Sequence, residues 1–371
     1  MLSTTFVSEF QQLLLQWQLQ CGRHDLPWQQ TRDPYAILVS ELMLQQTQVA
    51  TVIPYFQRWM QAFPDVQTLA AAADDQVMAL WQGLGYYARA RNLQKAARYL
   101  ADLPQWPDTY EKWLAVPGVG PYTAGAIMSF AFDGYGPIVD GNVRRFYSRC
   151  FGLDAPVGSS ALDKALWQYA RLLTPPQSRS FSQALLDMGA TLCKAKNPQC
   201  EICPVAKFCV ALEQQRVTQL PTAKVKKAIP TKLGHFLWLQ QDDCIWLTKR
   251  ADSGIWSSLW CLPEFELTAA ATEVGFSATE LTAMQRQLAQ GAPSLAADVV
   301  QEVSASYRST LLHGRFSHQF SHYKLDAYIW QRSNATSTDA LVLPKHGQWV
   351  KRSELEQYGL PAPIKQYLIQ Q

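Results

Sequence analysis

The chain has 371 residues, 48% of them hydrophobic and 12% aromatic, enough to bury more than one core and too apolar for a disordered chain. No apolar run reaches the length of a membrane span, and Met1 to Phe10 lacks the basic start and apolar core of a targeting peptide, so a soluble cytoplasmic protein is expected. The net charge of +3 is unevenly divided: residues 1–232 hold 22 Lys and Arg against 17 Asp and Glu, the remainder 11 against 13, which tilts the first part toward a polyanion.

Taken along the chain, the first 190 residues predict helix after helix. Pro34 to Met43 is an apolar run with one charge, and Thr47 to Met60 keeps helical spacing. Asp75 to Gln82, Arg89 to Leu100, Pro121 to Phe132 and Ala161 to Leu173 follow, separated by Gly and Pro turns. Residues 216–232 lose periodicity and predict a linker, with Lys224, Lys226 and Lys227 placed to touch phosphate. Beyond it, Phe236 to Leu239, Ile245 to Thr248 and Lys324 to Trp330 predict strands, with an Ala-rich helical segment near 268–298. The expected architecture is a mainly α domain over 1–215, the linker, and an α+β domain over 233–371.

Four of eight cysteines crowd together as Cys193-x6-Cys200-x2-Cys203-x5-Cys209, with Pro204 after the third. Four thiolates on a short segment without histidine suit either zinc or an iron–sulfur cube rather than a disulfide framework. A second signal is the string from Leu114 to Ile127, where Pro117-Gly-Val-Gly120 opens into a helix begun by Pro121. Amides of Gly118, Val119 and Gly120 could point at one phosphate; an ordinary helix–helix turn needs the same glycines.

Residues 1–232 contain one histidine, His24, so acid–base chemistry there falls to carboxylates. Glu41 is the only charge in Ala36-Ile-Leu-Val-Ser-Glu-Leu-Met-Leu44: burial would raise its pKa, whereas a solvent-facing position would leave it ordinary. Asp140 lies in Pro137-Ile-Val-Asp-Gly-Asn142, which by itself also suits a helix N-cap.

These strings together, with Ser40-Glu-Leu-Met-Leu-Gln-Gln-Thr-Gln-Val49, resemble the MutY family of the endonuclease III helix-hairpin-helix superfamily. The resemblance implies a [4Fe–4S] cluster on the four cysteines, ordering a basic loop of Lys194, Lys196 and Lys207 against DNA. It implies Glu41 as the acid that protonates adenine N7 and Asp140 as the stabiliser of an oxocarbenium-like sugar. Tyr122 is expected to hold Asp140, and Asn142 to position water or sugar. Relatives that cleave the strand carry a lysine where Tyr122 stands; a phenol forms no Schiff base, so a monofunctional hydrolase is expected.

Adenine must be flipped out to be reached. Gln45, Gln46 and Tyr86 match the family's wedge segments, and Arg89, with Arg91, is expected to face phosphate. Leu247 to Glu264 resembles the opening of a Nudix-type domain, without the glutamate-rich metal box that would follow it in a hydrolase. A Phe-Ser-His string that meets 8-oxoguanine in the family occurs twice, at 316–318 and as Phe320, Ser321 and His322; the second, followed by Tyr-Lys-Leu-Asp326, fits better. The implied partner is double-stranded DNA carrying adenine opposite 8-oxoguanine or guanine, bound by a monomer. An endonuclease III-like glycosylase/lyase and a non-catalytic lesion-binding protein are the alternatives.

Overall fold

The computed structural model describes residues 2–224, 228–266, 282, 284–285, 310–332 and 346–370. Its contacts divide the chain into two units, Met1–Ala72 with Ala88–Lys226, and Ala73–Tyr87 with Lys227–Gln371. None of the described helices is long and apolar enough to cross a membrane. Lys226, Lys227 and nearly all of the expected Ala-rich helix near 268–298 lie outside the described residues.

The first unit is helical throughout, the short α4 (Val66–Ala71) and α7 (Tyr110–Leu114) included. Helix α1 (Thr4–Cys21) starts at Ser3, whose side chain accepts from the Phe6 amide. Helix α2 (Pro34–Leu44) starts at Asp33 with Pro34 in its first turn, and every residue from Tyr35 to Met43 is buried. A helix apolar on all sides belongs in the middle of a domain. It packs against α3 (Val49–Ala62), α6 (Ala88–Ala101) and α8 (Pro121–Phe130), and α8 is itself buried from Thr123 to Phe130. Glu41 is thereby carried into the core by its neighbours, with 3% of its surface exposed.

Helix α9 (Gly141–Cys150) is capped by Asp140, and α10 (Ser160–Leu173) by Ser159. Helix α11 (Arg179–Asp187) runs directly into a π-turn at Met188–Leu192, a widened turn that often marks a functional position. Gly189 in that turn sits so close to Asn142 that a Cβ there would come within 2.4 Å of the Asn142 Cβ.

The second unit is built on a seven-stranded sheet. Strand β1 (Thr231–Gln241) runs parallel to β6 (Lys324–Arg332), and β6 forms an antiparallel hairpin with β5 (Thr310–Gln319). Strand β2 (Cys244–Lys249) pairs with β1, with β3 (Trp260–Cys261) and with β7 (Gly347–Lys351), while β4 (Glu264–Phe265) pairs with β1. Leu237, Leu239, Phe265, Met284 and Trp330 form a buried cluster on the sheet. The three strands expected from sequence are all present, each extended at one or both ends.

One helix of the predicted helical run, α5 (Asp74–Trp81), groups with this second unit. Asp75 accepts from Lys249 at 2.7 Å and from the Trp260 indole at 3.2 Å, while Gln82 and Tyr87 both donate to the Leu360 carbonyl. Local sequence gives the helix; long-range polar contacts give its allegiance.

Candidate active site and cysteine centre

The four residues expected to carry chemistry fall into two hydrogen-bonded pairs, Tyr122 with Glu41 and Asn142 with Asp140, not the pairing expected for Tyr122. The Tyr122 hydroxyl donates to Glu41 Oε2 at 2.6 Å, not to Asp140. The cause is the packing of α8 on α2, which sets the first turn of one helix against the last turns of the other. Burial pushes the Glu41 carboxyl from 4.5 up to about 7; the Tyr122 hydrogen bond opposes this and the nearby Asp140 charge adds to it. Glu41 can therefore hold a proton near neutrality.

Asp140 does what a helix N-cap does, accepting from the Val143 amide at 2.7 Å, and it also accepts from Asn142 Nδ2 at 3.1 Å. Burial raises its pKa against these donors and against Arg145. Asn142 is held at both ends, since its Oδ1 accepts from Arg145 at 3.0 Å. Its position makes it a support for Asp140 rather than a free holder of water. Arg145 in turn donates to the carbonyls of Gly189 and Cys193, so a continuous chain of hydrogen bonds runs from Asp140 to the start of the cysteine loop.

Glu41 lines a cavity of about 430 Å³. Trp28, Leu26 and Ile37 supply apolar wall, and Arg23, Gln29 and Gln183 supply polar groups. A cavity that offers both apolar wall and convergent polar groups can take a flat heterocycle and hydrogen-bond its edge. Sequence reasoning found none of these liners except Glu41. They come from the end of α1, the 27–30 turn and α11, and only the fold brings them together.

Two expected DNA contacts are redirected. Arg89 is buried at 7% exposure and donates to the carbonyls of Leu42, Met43 and Gln45 and to Thr47 Oγ1. It satisfies the orphan carbonyls at the C-terminus of α2 and does not face phosphate. Val119 is buried, and its amide is used on the Val116 carbonyl, so it offers no free donor. Gly118 is exposed at φ +79°, against Asn92, and Gly120 caps α8 just before Pro121. Positive φ and the contact with Asn92 both require glycine at 118.

Gln45 forms the C-cap of α2, while Gln46 and Tyr86 are exposed with φ of +57° and +48°. Left-handed backbone at non-glycine residues is sparsely populated and clusters at functional sites.

The four cysteines ring a second cavity, with Arg149, Leu192 and Val205 among its other walls. All four thiols line this one cavity, a donor set that would hold an iron–sulfur cube. Arg149 donates to Cys193 Sγ at 3.4 Å and to the Lys194 carbonyl at 2.8 Å. Burial pushes the Cys203 thiol up to about 12, so its thiolate persists only against a cationic centre. Of the three loop lysines expected at DNA, Lys207 instead pairs with Glu9 and lies over the Phe208 ring at 5.0 Å.

In the second unit the two Phe-Ser-His strings take different places. Phe316, Ser317 and His318 lie within β5, where Ser317 donates to Asp326. Phe320, Ser321 and His322 form the turn into β6, closed by the Phe320 amide on the Tyr323 carbonyl at 2.9 Å. Ser321 and His322 are exposed, and Phe320 packs on Trp256 and His318.

Residues 39–171 match the HhH-GPD superfamily of base excision DNA repair proteins, residues 193–209 the iron-sulfur binding domain of endonuclease III, and residues 234–370 a NUDIX domain. The chain is 41% identical over 266 residues to the adenine DNA glycosylase of Buchnera aphidicola subsp. Baizongia pistaciae (strain Bp), covering 71% of this chain and 75% of that protein. It is 43% identical over 227 residues to the adenine DNA glycosylase of Homo sapiens, covering 57% of this chain and 41% of that protein. A solved thermostable thymine-DNA glycosylase superposes with a TM-score of 0.50 at 28% identity, covering 56% of this chain and 97% of that one.

Proposed function

The chain belongs to the adenine DNA glycosylases, and from that premise we propose that it excises adenine paired with 8-oxoguanine or guanine, as a monofunctional enzyme. The observation that carries the mechanism is Glu41: a carboxyl with 3% exposure, a pKa of about 7, and a place on the wall of a cavity that fits a flipped base. A general acid works best when its pKa lies near the operating pH.

In this reading the extruded adenine enters the cavity with N7 toward Glu41. Glu41 gives its proton to N7 as the C1′–N9 bond breaks, and the bonding pair leaves with the base. The sugar cation that remains is stabilised by the Asp140 carboxylate, which Asn142 and the Val143 amide hold in place. Water then adds to C1′ and gives its proton to the Glu41 carboxylate, restoring the acid. Tyr122 orients Glu41 and offers no amine, so the reaction stops at the abasic site.

Cys193, Cys200, Cys203 and Cys209 would hold the iron–sulfur cluster, which would supply structure rather than catalysis. The turn at Gly118 and Gly120 grips a phosphate, and Gln45, Gln46 and Tyr86 fill the space the base vacates. Phe320, Ser321 and His322 meet the 8-oxoguanine.

The test is excision from an end-labelled duplex carrying adenine opposite 8-oxoguanine, developed with and without hot alkali. Strand breaks only after alkali are expected. Breaks without alkali would replace this reading with a lyase that uses another lysine.

A further inference from the structure

Trp256 lies in the Nudix-like stretch from Leu247 to Glu264, and the reaction proposed above makes no use of it. Its backbone is left-handed, with φ of +53°, and Ser258 is left-handed as well, at +61°. A bulky residue adopts that conformation only where its surroundings impose it. Here they do. Arg250 pairs with Glu264 at 2.6 Å and donates from Nε to the Ile255 carbonyl at 3.2 Å. The Ser258 amide donates to the Ala251 carbonyl at 3.0 Å, and the Ser258 hydroxyl donates to Asp252 at 2.7 Å. The loop is closed on itself by these bonds, and the side chain it turns inward is Trp256, 9% exposed.

What Trp256 meets is both Phe-Ser-His strings at once. Its ring lies 5.6 Å from that of Phe320 and 6.2 Å from that of His318. His318 stands edge-on to Phe320, at 4.6 Å and 79°. Burial holds the His318 imidazole below its usual pKa, so near pH 7 it packs as a neutral ring. Three rings therefore close on one another, one from the loop, one from β5 and one from the turn. Successive side chains of a strand alternate between its faces, so Ser317 points away from this group, and its hydroxyl is spent on Asp326. Ser321 and His322, next to Phe320, are exposed. A half-buried phenylalanine in a short turn has several rotamers open to it, and a wall of rings behind it leaves fewer. Order established before binding need not be created during binding.

We infer that Trp256 and His318 are positioning residues for selection of the base opposite adenine: they hold the Phe320 ring, and with it the turn that carries Ser321 and His322, in one pose before DNA arrives. The two Phe-Ser-His strings then have separate tasks, the first supporting and the second reading. The inference rests on the reading of the turn as the part that meets 8-oxoguanine.

The experiment compares single-turnover excision of adenine opposite 8-oxoguanine with that opposite guanine, using the whole chain. Trp256→Leu keeps an apolar side chain but not the flat ring, and the ratio of the two rates should fall about threefold to tenfold, the worth of one aromatic pair. Trp256→Phe should restore most of the ratio. His318→Ala should lower it as Trp256→Leu does, while Ser317→Ala leaves it unchanged. Adding Trp256→Leu to Phe320→Ala should change the ratio little further, because the rings act as one unit.

Equal falls opposite 8-oxoguanine and guanine in Trp256→Leu would mark a merely structural role and overturn the inference. If that variant does not fold, an unchanged ratio in His318→Ala overturns it instead. A fall in Ser317→Ala as large as that in His318→Ala would also overturn it, since the strand would then read the lesion itself. Phe320→Ala separates the two levels: if it keeps the parent ratio, the reading of the turn has failed. If it loses the ratio while Trp256→Leu keeps it, only the role of Trp256 and His318 is lost.

Discussion

Glu41 and Asp140 in the helical unit sit behind a shell of neighbours, each with a named partner and a raised pKa. Ser321 and His322 in the second unit stand exposed in a hairpin turn, on a strand pair that would form with many other residues in that turn. Desolvation makes a carboxyl hold its proton near pH 7, and desolvation demands a finished core. Recognition of a base that stays on the duplex demands the reverse, polar edges accessible to a large partner. The first region should therefore respond to substitution in rate and stability together, the second in selectivity alone.

The sharpest test of that contrast is Glu41→Gln. The excision rate should fall by about 10³ or more, the upper range for loss of a general acid, while duplex binding persists. A variant with near-normal rate would end the contrast, because burial would then serve no chemistry.

Stability should move the opposite way in the same variant. The folded Glu41 titrates near 7 and the unfolded one near 4.5, so between those values the unfolded chain loses its proton first. Stability falls as pH rises through that window and stays lowered above it. Thermal melts at pH 8 should thus find Glu41→Gln more stable than the parent, by about 3 kcal/mol at most. At pH 4 the difference should vanish. A gain that is the same at both pH values would mean that charge burial is not its origin.

Arg89→Ala probes the shell rather than the acid. It removes the donors on three α2 carbonyls, and a loss of about 2–4 kcal/mol is expected, visible as a lower melting temperature. Were Arg89 a phosphate contact instead, binding would weaken with salt dependence altered and the melt unchanged.

In the parent enzyme the single-turnover rate should decline up to tenfold per pH unit above about 7, as Glu41 loses its proton. A rate flat from pH 6 to 9 would remove Glu41 from the rate-limiting step. The smallest effect is expected in the second unit. Ser321→Ala or His322→Ala should reduce the preference for 8-oxoguanine over guanine about threefold to tenfold, with melting altered by less than about 0.5 kcal/mol. Should Ser317→Ala and His318→Ala carry the preference instead, the strand rather than the turn reads the lesion.

What the sequence determined by itself is what short stretches of chain can carry. The helical periodicity from Pro34 to Leu173, the cysteine spacing and the Pro-Gly-Val-Gly turn are local patterns, and each forms where it was expected. Glu41 was visible as one charge in an apolar run. The tertiary structure alone decided where each side chain spends its hydrogen bonds. It sent the Tyr122 hydroxyl to Glu41 instead of Asp140, turned Arg89 inward onto the end of α2, and paired Lys207 with Glu9. It also attached α5 to the second unit and set Arg23 and Gln183 on the wall of a cavity that no stretch of sequence outlines. The physical reason is the same in each case. A polar group that is buried must find a partner, and which partner lies within 3 Å depends on helices that meet from distant parts of the chain.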